Sequence, residues 1–106
     1  MDTGRRIIKE NNYKFDLVLS HTCPIIYEPK DLFLSSIDQS TVDKTMEQYL
    51  GEIEYKITYY LWLWGHFHAY RTYYTGGRLK RLMLDYKSVI NIKDCINTLS
   101  KAIKIY

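Results

Sequence analysis

Three histidines are the residues of this chain best suited to chemistry, and two of them stand together in Trp64, Gly65, His66, Phe67, His68. That block closes an almost unbroken apolar and aromatic run, Tyr59, Tyr60, Leu61, Trp62, Leu63. The run has the length of a buried strand, and a glycine at its end allows a tight turn, so the spacing predicts both histidines where a strand meets a loop. If the backbone stays extended there, His66 and His68 share a face with α-carbons roughly 6 to 7 Å apart. One metal ion, or two adjacent ions, is then within reach of the pair. A packed or surface histidine satisfied by a backbone carbonyl is the competing account. The third histidine, His21, repeats the arrangement, because it follows the apolar stretch Phe15, Leu17, Val18, Leu19 and is closed off by Thr22, Cys23, Pro24.

The elements that must position these residues can be read around them. Phe15 to Leu19 and Tyr59 to Trp64 are expected strands. Between them, Ser40 is a candidate cap and Val42, Met46, Tyr49, Leu50, Ile53 and Ile57 fall on one stripe, which predicts a helix from Thr41 to Ile57. Gly51 weakens that helix by about 1 kcal/mol without ending it. Strand, helix, strand is the crossover unit of a layered α/β domain. Pro24 and Pro29 bracket an irregular segment, and Asp31 to Asp38 reads as a long functional or lid-like loop. Beyond His68, Tyr70, Thr72 and Tyr74 alternate with Arg71 and Tyr73, Thr75, Gly76, Gly77 read as a hairpin turn, and Leu79 to Tyr86 is the return strand. Val89 to Ile92 adds a further short strand, or else Asn91 caps a closing helix with Ile92, Ile96, Leu99 and Ile103 in its stripe. The expected fold is α/β, strand–helix–strand followed by a β-hairpin and a C-terminal helix at 93–106. Residues 2–12 show no usable periodicity.

Length and composition bound the answer. The chain has 106 residues, 46% of them hydrophobic and 25% charged, as in one globular domain. No apolar stretch is long enough to span a bilayer and the start is polar, from which a cytoplasmic protein with no membrane partner is expected. Cys23 and Cys95 lie far apart with no Cys-x-x-Cys, so the thiols are expected to stay reduced, with Cys95 in the core. Residues 1–68 carry 7 Lys or Arg against 10 Asp or Glu, whereas residues 69–106 carry 8 against 2. The basic end invites an anionic partner, be it phosphate, nucleic acid or an acidic protein surface.

Taken together, Ser20, His21, Thr22, Cys23, Pro24 after an apolar strand, then Tyr27, Glu28, Pro29, then Ile37, Asp38, Gln39, Ser40 with Asp43, and finally Gly65, His66, Phe67, His68 resemble the C-terminal half of a calcineurin-like metallophosphoesterase, over about residues 15–92. The resemblance implies part of a two-sheet sandwich flanked by helices, with a dinuclear metal centre at the strand ends. It implies that His21 and His66 ligate one metal and His68 the other, with Mn, Fe, Zn or Mg as the ion and a phosphate ester as the substrate. Arg71 is the candidate to face the phosphoryl oxygens. The family's Asp-x-His, Gly-Asp and Gly-Asn-His blocks are absent from these 106 residues, and with them the bridging carboxylate and the catalytic histidine. A two-metal hydrolase needs a bridging ligand that holds its ions about 3.5 to 4 Å apart, and three imidazoles supply none. Glu28, Asp31 and Asp38 are the acids near enough in sequence to stand in.

Two function classes follow. In one, the chain is a fragment of a metal-dependent phosphoesterase, contributes His21, His66 and His68, and is inactive alone. In the other, it is a non-catalytic interaction or inhibitor protein, with eleven tyrosines serving an interface. In either case a half sandwich is expected to leave an apolar sheet face open, covered by self-association or by a protein partner. Nucleic-acid binding through Arg71, Arg78, Lys80 and Arg81, interleaved with Tyr70, Tyr73, Tyr74 and Tyr86, is the weaker third reading.

Overall fold

The computed structural model of the chain describes residues 2–32, 42–67 and 69–85, and the backbone of 102–105. In order, the elements are helix α1 (Asp2–Glu10), strand β1 (Lys14–Ser20), two short 3-10 turns (Ile25–Tyr27 and Lys30–Leu32), helix α2 (Thr45–Lys56), and strands β2 (Thr58–Trp64), β3 (Arg71–Thr75), β4 (Arg78–Met83) and β5 (Ala102–Ile105). The strands form one mixed sheet in the order β3-β4-β2-β1-β5. β1 runs parallel to β2 and to β5, β2 runs parallel to β4, and only β3 is antiparallel to its neighbour. Every parallel strand therefore ends at the same edge.

The central strands are apolar on both faces because both are covered, which is the usual condition of parallel sheet. Val18, Trp62, Trp64 and Met83 pack with Tyr49, Leu50, Ile53 and Ile57 and with Ile8 of α1. Leu17, Leu61, Leu63 and Leu82 form a second cluster. These leucines are at most 5% exposed within the single chain, so the expected bare apolar face is not found there. α2 is tied to the sheet by polar contacts as well. Glu54 accepts hydrogen bonds from the Tyr59 hydroxyl at 2.7 Å and from Arg81 at 3.2 Å, and the Arg81 guanidinium lies over the Tyr27 ring. Burial, reinforced by the Glu54 carboxylate, pushes the Tyr59 phenol well above its ordinary range.

The structure corrects several expectations. Residues 2–10 are helical: Ile8 alone buries its side chain in the core and Ile7 packs beside it, too short an apolar stripe to betray a helix in sequence. α2 begins at Thr45 rather than Thr41, where the Asp43 carboxylate accepts hydrogen bonds from both the backbone N–H and the hydroxyl of Thr45; Val42 is exposed and outside the stripe. The return strand stops at Met83. The expected C-terminal helix fails at its end, because Ala102–Ile105 is a strand paired with Leu17–Ser20. Ile103 therefore sits opposite Val18 instead of continuing a helical stripe. The remainder of that helix, the alternative strand at 89–92, Ser40 and Cys95 lie outside the described residues.

The hairpin was legible. Gly76 and Gly77 have φ of +60° and +76° and join Thr75 to Arg78, its partner in the ladder. A Cβ at Gly77 would meet nothing within 4 Å, so its cost is conformational alone. Gly77→Ala is expected to lose about 1 to 2 kcal/mol, the cost of a left-handed residue with a side chain, read as a lower urea midpoint with an unchanged slope. An unchanged midpoint would show that the turn relaxes at no cost.

Candidate functional site

His21 follows the last residue of β1, and His66 lies two residues past the end of β2. Adjacent parallel strands that end at one edge carry such residues to within about a strand spacing of each other. Backbone bonds hold the edge together: Gly65 N–H donates to the His21 carbonyl at 3.1 Å and Leu84 N–H to the Trp64 carbonyl at 2.8 Å. The outcome is a close pair. His66 Nδ1 and His21 Nε2 are 2.9 Å apart, and the rings meet edge to face with centroids 4.7 Å apart.

The turn that delivers His66 is not made by the glycine. Gly65 does not adopt a positive φ, and a Cβ there would make only an ordinary contact 3.8 Å from the Leu84 carbonyl. His66 itself takes φ +73°, with Phe67 N–H donating to the Gly65 carbonyl at 2.9 Å across it. This three-residue turn is uncommon for a residue with a side chain and stores on the order of 1 to 3 kcal/mol. Because the backbone is not extended at His66, the expected shared face of His66 and His68 does not apply. His68 lies outside the described residues.

A second set of bonds fixes the loop that carries His21. Trp62 Nε1 donates to Ser20 Oγ at 2.8 Å, and Ser20 Oγ donates to the Thr22 carbonyl at 2.6 Å. The buried indole thus reaches across from β2 and holds the chain on either side of His21. Cys23, fully buried two residues further on, has its thiol pushed up to about 12 by burial, with Glu28 and Glu47 adding to the effect. It behaves as a core thiol. Trp64, stacked on Tyr27 and against Tyr73, keeps its indole N–H buried without a hydrogen-bond partner among the described residues.

The acids near enough in sequence to stand in for a lost carboxylate are otherwise engaged where they are described. Glu28 pairs with Lys44 at 3.0 Å in a largely buried contact. Asp31 forms a two-pronged pair with Arg71, whose guanidinium hydrogen bonds hold the Asp31 carboxyl below its usual range. Arg71, the expected phosphoryl-facing cation, is thereby neutralised in this conformation. Asp38 lies outside the described residues. Among the described residues, no three His, Cys, Asp or Glu side chains gather closely enough to hold an ion.

Two imidazoles alone are an incomplete ligand set, and their spacing bears on which ion geometry they match. With metal–nitrogen bonds of about 2.0 to 2.1 Å, nitrogens 2.9 Å apart subtend about 90° at an ion, whereas a tetrahedral site would spread them to about 3.3 Å. The spacing matches adjacent positions on a six-coordinate ion, and of the ions considered Fe combines that geometry with a preference for imidazole, whereas Mn and Mg prefer carboxylate and water oxygens. Without an ion the same distance is a hydrogen bond, in which one ring N–H donates to the other ring.

Of the residues considered for nucleic acid, Arg71 and Arg81 are paired with Asp31 and Glu54. Tyr70 and Tyr74 are exposed, Tyr73 is half-buried against Trp64, and Tyr86 is outside the described residues. No described helix is long and apolar enough to cross a membrane. No protein-family model, curated protein or solved structure matches the chain.

Proposed function

We propose that the chain is the C-terminal half of a metallophosphoesterase-type domain and contributes His21, His66 and His68 to a metal centre that hydrolyses phosphate esters. The observation that carries the reading is the 2.9 Å approach of His21 Nε2 and His66 Nδ1 at the carboxyl edge of a parallel sheet, between residues 45 apart in sequence. Parallel sheets place ligands at this edge. The resemblance of the Ser20–Pro24 and Gly65–His68 blocks supplies the reaction class.

In this reading His21 and His66 hold one ion and His68 reaches a second. A bound divalent ion supplies Lewis-acid charge at the phosphoryl oxygens and a more acidic water. The chain's own contribution is orientation. The Trp62–Ser20–Thr22 bonds fix the His21 loop, the turn at His66 aims its ring at His21, and Asp31 holds Arg71 in reserve at the start of β3. Neither a bridging carboxylate nor a group to protonate the leaving alcohol is available among these residues, so hydrolysis requires the Asp-x-His, Gly-Asp and Gly-Asn-His blocks on another stretch of polypeptide. That stretch is also the protein partner the site calls for.

The test is to read the coding sequence upstream of Met1 and to assay both polypeptides. The 106-residue chain is expected to be inactive on phosphomonoesters and phosphodiesters with added Mn²⁺. The polypeptide extended through upstream blocks of this type is expected to turn over, and to lose activity by about 100-fold or more with His66→Ala, since loss of even outer-sphere support costs about 10- to 100-fold. An upstream sequence with none of the three blocks would overturn the reading. So would robust turnover by the 106-residue chain alone.

A further inference from the structure

At the opposite end of the sheet, the first residues of β1, β2 and β4 line a cleft of about 550 Å³. Its volume lies within the range of about 300 to 1,000 Å³ usual for small-molecule sites. β1 is seven residues long, which puts the cleft roughly 20 Å from the histidines. Lys14, Arg78 and Lys80 face it with Asp16, and Tyr59 and Tyr60 form its wall.

The cations are arranged rather than scattered. The Arg78 guanidinium lies over the Tyr60 ring, its central carbon 3.7 Å from the centroid, and one of its terminal nitrogens donates to the Tyr60 and Leu79 carbonyls at 2.6 and 3.1 Å. Those contacts use one edge of a guanidinium that carries five N–H donors. Lys80 sits 4.5 Å over the Tyr59 ring. Burial pushes the Lys80 ammonium below its ordinary range and Arg78 and Arg81 push it further. Among the described residues, none of Lys14, Arg78 and Lys80 is ion-paired with a carboxylate. By contrast, Arg71 and Arg81, on the same hairpin, are both neutralised by acids.

We propose that this cleft is a binding site for a small phosphate-bearing anion, of diphosphate or phosphomonoester size, held by Lys14, Arg78 and Lys80 against the Tyr60 wall. A planar guanidinium and two ammonium groups lining one cleft match a multiply charged phosphate better than a single carboxylate. A nucleic-acid strand fits less well. Single-strand binders need a basic groove that continues along the backbone with rings open for stacking, whereas Asp16 interrupts this one and Arg78 already covers Tyr60. The site is independent of the histidine edge and of the function proposed for it.

The experiment is a titration of the ¹⁵N-labelled 106-residue chain with sodium pyrophosphate at constant ionic strength, followed by amide shifts. Saturable shifts are expected at Lys14, Asp16, Tyr60 and Lys80, unchanged in His66→Ala and weakened by about 10-fold or more in the Lys14→Gln, Lys80→Gln double variant. Arg78→Lys, which keeps the charge but not the fork, is expected to weaken binding as well, and dispersed spectra of each variant report its fold. Three results would overturn the proposal: shifts that do not saturate in the millimolar range, shifts centred on His21 and His66, or equal affinity in the folded double variant. Binding of oligothymidylate at these residues that pyrophosphate fails to displace would overturn it in favour of nucleic acid.

Discussion

Trp62→Ala is expected to remove a large share of the folding stability of the chain, about 3 to 5 kcal/mol. Trp62 is fully buried, packs edge to face on Tyr59 with centroids 5.3 Å apart, and belongs to the cluster that joins α2 to the sheet. Truncating a buried tryptophan costs about 3 to 5 kcal/mol, against a total stability of about 5 to 15 kcal/mol for a domain of this size. The same change removes the donor that holds Ser20 Oγ. Urea unfolding followed by circular dichroism checks the first effect, with the midpoint lowered by about 2 M at the slope of a small domain. A midpoint unchanged within error would mean that the cluster does not carry the fold. Trp62→Phe goes far toward separating the two roles, since it keeps much of the apolar contact, at the cost of a smaller ring, and removes the indole N–H. It is expected to stay folded while the NMR signals of Thr22 and His21 broaden or shift.

The other large effect concerns metal. After exposure to Mn²⁺ or Zn²⁺ and dialysis, the parent chain is expected to retain at most one ion, and His21→Ala and His66→Ala are each expected to weaken retention by about 100-fold or more. The reasoning is geometric. The two nitrogens converge at 2.9 Å, and neither alone is a chelate. Retention is expected to favour six-coordinate ions less steeply than a complete site would, because no carboxylate among the described residues joins the pair. Equal metal content in parent and His66→Ala, measured by elemental analysis, would remove His66 as a ligand and leave the pair as a hydrogen bond between rings.

How far the site could be read ahead of the structure depends on where its determinants lie. That His21 and His66 follow buried strands was visible, because apolar runs such as Tyr59 to Trp64 are a local signal. That the turn falls on His66 and not on Gly65 is not visible in sequence, since a positive φ on a histidine runs against local preference and is held by the bonds from Gly65 to His21 and from Phe67 to Gly65. The sequence offers Arg71 to phosphoryl oxygens, and only the fold shows Asp31, 40 residues earlier, against it. The cleft at the strand starts was missed for the same reason. Lys14, Arg78 and Lys80 are dispersed in sequence, and only the side-by-side order β4-β2-β1 gathers them.

What the sequence determined by itself is the local part: the apolar strands, most of the stripe of α2, the Gly76–Gly77 turn, and two histidines placed just past strand ends. Tertiary structure decided the rest. It set α1, whose Ile8 is helical because the core accepts it, and it set β5, where pairing of Ile103 with Val18 overrides a helical spacing. It also decided which charges are spent in pairs and which face an open cleft. The physical reason is common to all of these: periodicity and turn preference act within a few residues, whereas register, ion pairing and the approach of two imidazoles are contacts between segments tens of residues apart.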